Sequence, residues 1–301
     1  MKVSFRSIVL PLAMIIGFTF HKYASSIYFL APYLVFTMLF ISYTAVDFKK
    51  LRITKLISLL LIAQAGFCLG WFFLVKLLGI SALMGDSILV CLLTPIAASA
   101  VVVSCALGAS RETVTTFTIV DNLMVSLLAP ALFSAMGTTE LSYFQEFWHI
   151  LKRVAPQIVF PLFAALLTQR FTPKVNAFFV RYKGSTLYVW AFTLIVVLGK
   201  AFHDVVTAPN PQWNRVALVA AMSAVLCCIL YIFGKWVGAR QGEKMAGGQM
   251  LGQKNTSFGI WMAVEYLSPM AAVAPALYSV WQNCFNSVQM YIHDKNHEPE
   301  T

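Results

Sequence analysis

Lys254 and Asp121 are the base and the acid that fall deepest inside apolar stretches of this chain. Around them sit residues whose chemistry is hydrogen bonding: Gln253, Asn255, Thr256 and Ser257 beside the lysine, and Thr118, Asn122 and Ser126 beside the aspartate. An ammonium and a carboxylate taken out of water can pair, trade a proton with each other or with solvent, or neutralise a charged ligand. Thr118, Asp121, Asn122 and Ser126 are spaced by three and four, so they share one helix face that cannot look at lipid. Gln64, and the run Trp281-Gln282-Asn283 with Asn286, add further amides within apolar segments. No Ser/His or paired-Asp arrangement lies on one face and no metal-ligand cluster is present, so an enzyme is not expected, nor a cofactor beyond a coupling ion. The six cysteines, Cys68, Cys91, Cys105, Cys227, Cys228 and Cys284, lie in apolar runs and read as packing residues.

The elements that must hold these groups are membrane spans. Of 301 residues 59% are hydrophobic and only 11% charged, against about 25% charged in soluble domains. The net charge of +10 is spread over loops, which speaks for orientation in a lipid bilayer and against nucleic acid. At about 20 apolar residues per span, the chain reads as a single all-α integral membrane unit over 1–301. Its ten transmembrane helices fall at 5–20, 25–46, 55–79, 82–109, 112–136, 150–169, 185–203, 213–236, 245–268 and 271–292. Lys2 and Arg6 precede the first apolar run as in a signal peptide, but no small-residue cleavage site follows, so the first span reads as retained. The loops at 1–6, 47–55, 109–112, 170–184 and 235–244, with the C-terminal tail, hold fifteen Lys and Arg; the alternate loops hold Lys22, Lys76, Lys152, Arg153, Lys200 and Arg215. That asymmetry predicts a bacterial inner membrane protein with both termini cytoplasmic. Segment 137–149 reads as an interfacial amphipathic stretch between two halves.

Two spans are interrupted. Gly247-Gly248-Gln249-Met250-Leu251-Gly252-Gln253-Lys254-Asn255 places glycines and amides inside span 9, and Thr94-Pro95-Ile96-Ala97-Ala98-Ser99 breaks span 4. Pro95 removes a helical hydrogen bond and clashes with the preceding turn. Unpaired backbone at membrane depth is tolerated only where protein encloses it or it lines a wet cavity. Ser7-Ile8-Val9-Leu10-Pro11-Leu12 is echoed by Gln157-Ile158-Val159-Phe160-Pro161-Leu162, five spans later. An odd number of spans reverses orientation, so the echo predicts inverted repeats over about 1–136 and 150–292. Broken helices at matching positions of two halves point to a substrate site.

Ten spans in two inverted halves with breaks in spans 4 and 9 resemble the bile acid:sodium symporter family. The residues that carry the likeness are the segment from Pro95 to Pro130-Ala131-Leu132-Phe133, the Gln253-Lys254-Asn255 crossover and Val280-Trp281-Gln282-Asn283. The resemblance implies that spans 4 and 9 cross. It also implies a core of spans 3–5 and 8–10 moving against a panel of spans 1, 2, 6 and 7, with small organic anions as cargo. Laid on the family pattern without gaps, its sodium-site Ser-Asn pair becomes Ala100-Val101, a Ser of span 5 becomes Val114 and a Glu becomes Gln249. Thr118, Gln253 and, with a one-residue shift, Gln64 remain as a weakened sodium set, while Lys254 brings an ammonium to where a sodium ion would sit.

The sequence therefore predicts a secondary active transporter of a small organic anion. Its expected substrate or ion site comprises Gln64, Pro95, Ser99, Thr118, Asp121, Asn122, Gln253, Lys254, Asn255, Thr256, Gln282 and Asn283, with the substrate held near Lys254. The coupling ion is expected to be a proton, or the internal Lys254/Asp121 pair, rather than sodium in full sites. A proton-coupled cation antiporter on the same fold and a non-transporting membrane receptor are the alternatives.

Overall fold

The computed structural model describes residues 5–97, 99–136, 141–182, 185–207 and 213–297, and every regular element among them is helical. Helix α1 (Phe5–Thr19) leads into the short α2 (His21–Ser26), a 3-10 turn at Tyr28–Leu30 and α3 (Ala31–Thr44). Helix α4 (Lys55–Leu78) opens on Thr54, whose side chain accepts from the Ile57 N–H, and stops at Gly79 in the left-handed region, a conformation that glycine adopts without Cβ strain. Next come α5 (Ala82–Leu93), α6 (Ala100–Ala106), α7 (Arg111–Met136), α8 (Tyr143–Phe171), α9 (Pro173–Arg181), α10 (Thr186–Val206) and α11 (Trp213–Ala239). The chain closes with α12 (Lys244–Gly252), α13 (Thr256–Tyr266) and α14 (Val273–His297). Five of these, α4, α7, α8, α10 over Tyr188–Val206, and α11, are long and apolar enough to cross a membrane, and α7 is the most enclosed of them. The protein is thus a helical membrane protein, with the span that carries Asp121 its most enclosed.

Three sequence expectations need correction. The sixth span, expected from 150, starts earlier, within the stretch 137–149. Residues 137–140 lie outside the described residues, and from Tyr143 the chain belongs to the 29-residue α8. Ser142 starts that helix, its N–H and hydroxyl both donating to Gln145 Oε1 at 3.1 and 2.9 Å. This capping box is legible in the sequence as Ser-x-x-Gln. Second, the loop at 170–184 contains a helix, α9, entered through Pro173 at its first position. Third, Lys200 is not a loop residue. It lies within α10, and its ammonium meets both Asp204 oxygens at 2.6 Å, one turn on, beside a contact of 2.9 Å between His21 Nδ1 and His203 Nδ1.

The basic loops gather at one end of the molecule. Lys49, Lys50 and Arg52 share a cleft with Thr54, Glu112 and Thr113. Thr113 donates to Glu243 Oε1 at 3.1 Å, which brings the α11–α12 turn to the same end. Gln169 in the last turn of α8 donates from Nε2 toward the carbonyls of Tyr43, Thr44 and Val46 at 3.3, 3.2 and 2.9 Å. Those carbonyls belong to the last two residues of α3 and to the turn that follows it. Gln169 thereby ties the ends of α3 and α8 together and fixes where α9 starts.

Candidate functional site at the helix crossing

Spans 4 and 9 break where the sequence says, and the breaks meet. Helix α5 ends at Thr94, which is extended at ψ 124°, as the residue before a proline must be. Pro95 cannot donate, and the chain re-enters a helix only at Ala100. On the other strand α12 ends at Gly252, Gln253 is extended, and Asn255 caps α13 by accepting from the Phe258 N–H at 3.3 Å. Between these ends Ile96 and Lys254 form an antiparallel bridge. The Ala97 N–H donates to Gln253 O at 2.9 Å and the Asn255 N–H to Pro95 O at 2.7 Å. Ala98 lies outside the described residues.

In such a bridge the backbone groups of the two central residues point outward, and here side chains meet them. The Ile96 N–H donates to Asp121 Oδ2 at 2.7 Å. The Lys254 N–H donates to Gln282 Oε1 at 2.9 Å, and Gln282 Nε2 donates back to Lys254 O at 3.2 Å. Asp121 from α7 and Gln282 from α14 thus serve as the missing neighbour strands on either edge. Buried backbone must be satisfied in this way or pay a desolvation cost.

Gln282→Leu leaves the buried Lys254 N–H without a partner and its carbonyl with the Thr256 N–H alone, and is expected to lower stability by roughly 1–3 kcal/mol. Asn283→Leu is expected to change it by less than about 1 kcal/mol. Thermal unfolding of the two variants in one detergent checks this, and equal losses would remove the edge-strand role.

Asp121 and Lys254 form no direct ion pair. The ion pairs among the described residues are Lys50–Asp47, Arg153–Glu265 and Lys200–Asp204. Lys254 Nζ donates instead to Gln64 Oε1 at 3.1 Å, and Gln64 also faces the Asp121 carboxylate. Acid and base, 0% and 2% exposed, therefore act on one another across an intervening amide. The ammonium lies among Gln64, Cys68, Cys91 and Asp121, walled in by α4, α5 and α7. Such packing holds the Lys254 ammonium away from solvent. Ser99, in the other break, is by contrast exposed. Gln64 Oε1, needed for the weakened sodium set, is engaged by the lysine.

The remaining expected residues divide. Gln253 Nε2 donates to Ser99 Oγ at 3.1 Å, linking the two breaks at their accessible side. Thr118 turns its hydroxyl onto Val114 O at 2.8 Å, and Asn122 Nδ2 donates to Thr118 O at 2.7 Å. Both are buried above and below Asp121. Thr256 is buried at the start of α13, with its N–H on Lys254 O at 3.0 Å. Asn283 is half-buried and bonds its own helix at Ser279 O rather than the bridge. Missing from the expected set is a second amide cluster, in which Asn286 Oδ1 accepts from Tyr231 Oη, Gln249 Nε2 and Gln289 Nε2 at 3.1, 2.8 and 3.3 Å. The spacing of Gln282, Asn286 and Gln289 by four and three is its signal in the sequence.

Around the crossing Asp121 Oδ1, Asn122 Oδ1, Gln253 Oε1, Asn255 Nδ2 and Ser257 Oγ are buried and complete no hydrogen bond. A native interior rarely leaves so many polar atoms open in one place without a functional reason. No group of three His, Cys, Asp or Glu among the described residues is arranged to hold a metal ion. Comparison with protein-family models and with curated proteins returns no match for the chain.

Proposed function

We propose that this protein is an inner-membrane secondary carrier of a small organic anion, working by alternating access. The observation that supports it most is the antiparallel bridge between two interrupted helices, with open hydrogen-bonding atoms around it. Its paired hydrogen bonds have two-fold symmetry about Ile96 and Lys254, the relation that inverted halves over 1–136 and 150–292 would impose. Ten spans follow if α2 with α3, α5 with α6 and α12 with α13 each count as one and the nine-residue α9 lies outside the bilayer core. Both termini are then cytoplasmic, as the distribution of Lys and Arg over the loops requires. The resemblance to the bile acid:sodium symporter family stands beside this reading.

In the proposed cycle the anion sits on the accessible side of the crossing, against Ser99 and Gln253, with the capped N-terminus of α13 lending positive potential. Lys254 acts from behind as a tethered cation in place of sodium. Asp121 is the group able to take up a proton.

The test is reconstitution. Purified protein is screened by thermal shift against carboxylic-acid metabolites, and the stabilising acid is then assayed for counterflow in proteoliposomes. We expect labelled acid to accumulate against its own preload, and uptake to respond to a pH step with sodium absent. Binding without counterflow would point to a receptor, and cation-dependent proton flux without acid uptake would point to the antiporter.

A further inference from the structure

Helix α9 lies across the basic end of the molecule with three distinct faces. Its inner face is formed by Asn176, Phe179 and Val180, and Phe179 meets Phe40 of α3 edge-on at a centroid separation of 5.0 Å. Next to it around the helix runs an exposed apolar stripe of Val175, Phe178 and Tyr182, 47%, 58% and 50% accessible, with the rings of Phe178 and Tyr182 4.8 Å apart. Lys174 and Arg181, seven residues apart, stand together on the far edge of that stripe. The Arg181 guanidinium lies 5.9 Å from the Tyr182 ring. No residue of this helix is buried.

That order, from packed face to aromatic stripe to basic edge, matches the order of protein, acyl chain and headgroup at a bilayer surface. Aromatic rings favour the interfacial region, and Lys and Arg stems snorkel past them to the phosphates. Arg170 and the Lys49-Lys50-Arg52 cleft add positive charge at the same end, which favours phospholipids carrying net negative charge over zwitterionic ones. We propose that α9 is a docking surface for anionic phospholipid, its aromatic stripe against the acyl chains and Lys174 and Arg181 on the headgroup. This rests on the membrane placement of the chain and not on what the chain carries.

The test compares thermal unfolding of the full chain in micelles doped with phosphatidylglycerol or with phosphatidylcholine at equal mole fraction. The wild-type protein is expected to unfold later with phosphatidylglycerol, and K174Q/R181Q is expected to lose about 3 °C of that difference. The charge-keeping K174R/R181K and the distant Arg215→Gln should both retain it. Should K174Q/R181Q not fold, added NaCl on the wild-type protein decides, because screening must erase a headgroup contact. A preference that survives in K174Q/R181Q or in high salt overturns the proposal. So does its absence from the wild-type protein, or its reproduction by inorganic phosphate alone.

Discussion

Lys254→Met is expected to destabilise the protein by about 3–5 kcal/mol, and Lys254→Met with Asp121→Asn to recover most of that loss. Methionine fills nearly the volume of the lysine stem, so a cavity contributes little. What remains is the carboxylate of Asp121, fully buried, whose Oδ2 is committed to the Ile96 N–H and whose nearest positive charge is gone. The variant must keep a lone buried anion or bind a proton there, and either costs stability. In the double variant the carboxamide introduced by Asp121→Asn can still accept from Ile96, and its NH2 group can donate to Gln64 Oε1, which Lys254 Nζ otherwise occupies. The network is then neutral and satisfied. If the two charges also take part in the transport cycle, the double variant is stable and yet fails in counterflow. A stable and active double variant would reduce the pair to scaffolding. Strictly additive losses in the cycle of four proteins would show that the two charges do not interact.

The two breaks are legible in the sequence because each is written in residues with one physical meaning. Pro95 cannot continue a helix, and Asn255 after Gly252-Gln253-Lys254 is a helix-capping residue following a helix stop. That they meet residue for residue, Ile96 against Lys254, is foreshadowed only through the resemblance and the repeat, because contacts between distant segments leave no local trace. Asn283 and Gln282 show a different limit. They are adjacent and equally polar, but about 100° apart around α14, and the rotation of that helix decides which one looks inward. Asp121 reads as expensive from its place in a span, and Lys254 as the charge to compensate it. That Gln64 stands between them depends on side-chain reach across α4. Helix α9 escapes a sequence reading because its nine residues, though segregated into distinct faces, are fewer than the roughly 11–18 over which a helical period can be told from a loop.

The last expectation separates glycines that sequence cannot tell apart. Gly247→Ala is expected to destabilise the protein by about 3 kcal/mol or more, at the upper end of overpacking costs, whereas Gly66→Ala and Gly70→Ala should be neutral or stabilising by up to about 1 kcal/mol. All three are helical glycines in apolar segments. On α4 a Cβ at Gly66 or Gly70 would meet nothing within 4 Å, so alanine gains helix propensity at no steric cost. On α12 a Cβ at Gly247 would press into the carbonyl oxygen of Gly234 and come within 2.8 Å of Gly238 Cα and 3.0 Å of its nitrogen. Those are backbone atoms of α11, which no rotamer change can move aside, so the two helices would have to part. Small residues at such seams are how membrane helices approach closely. Separation would also carry Gln249 away from Asn286, with which it shares a 2.8 Å hydrogen bond, and shift the end of α12 that delivers Gln253 and Lys254 to the crossing. Unfolding temperatures of the three variants in one detergent check this. If Gly247→Ala unfolds with Gly66→Ala and Gly70→Ala, then α11 and α12 do not pack backbone to backbone, and the crossing has lost the support assigned to it.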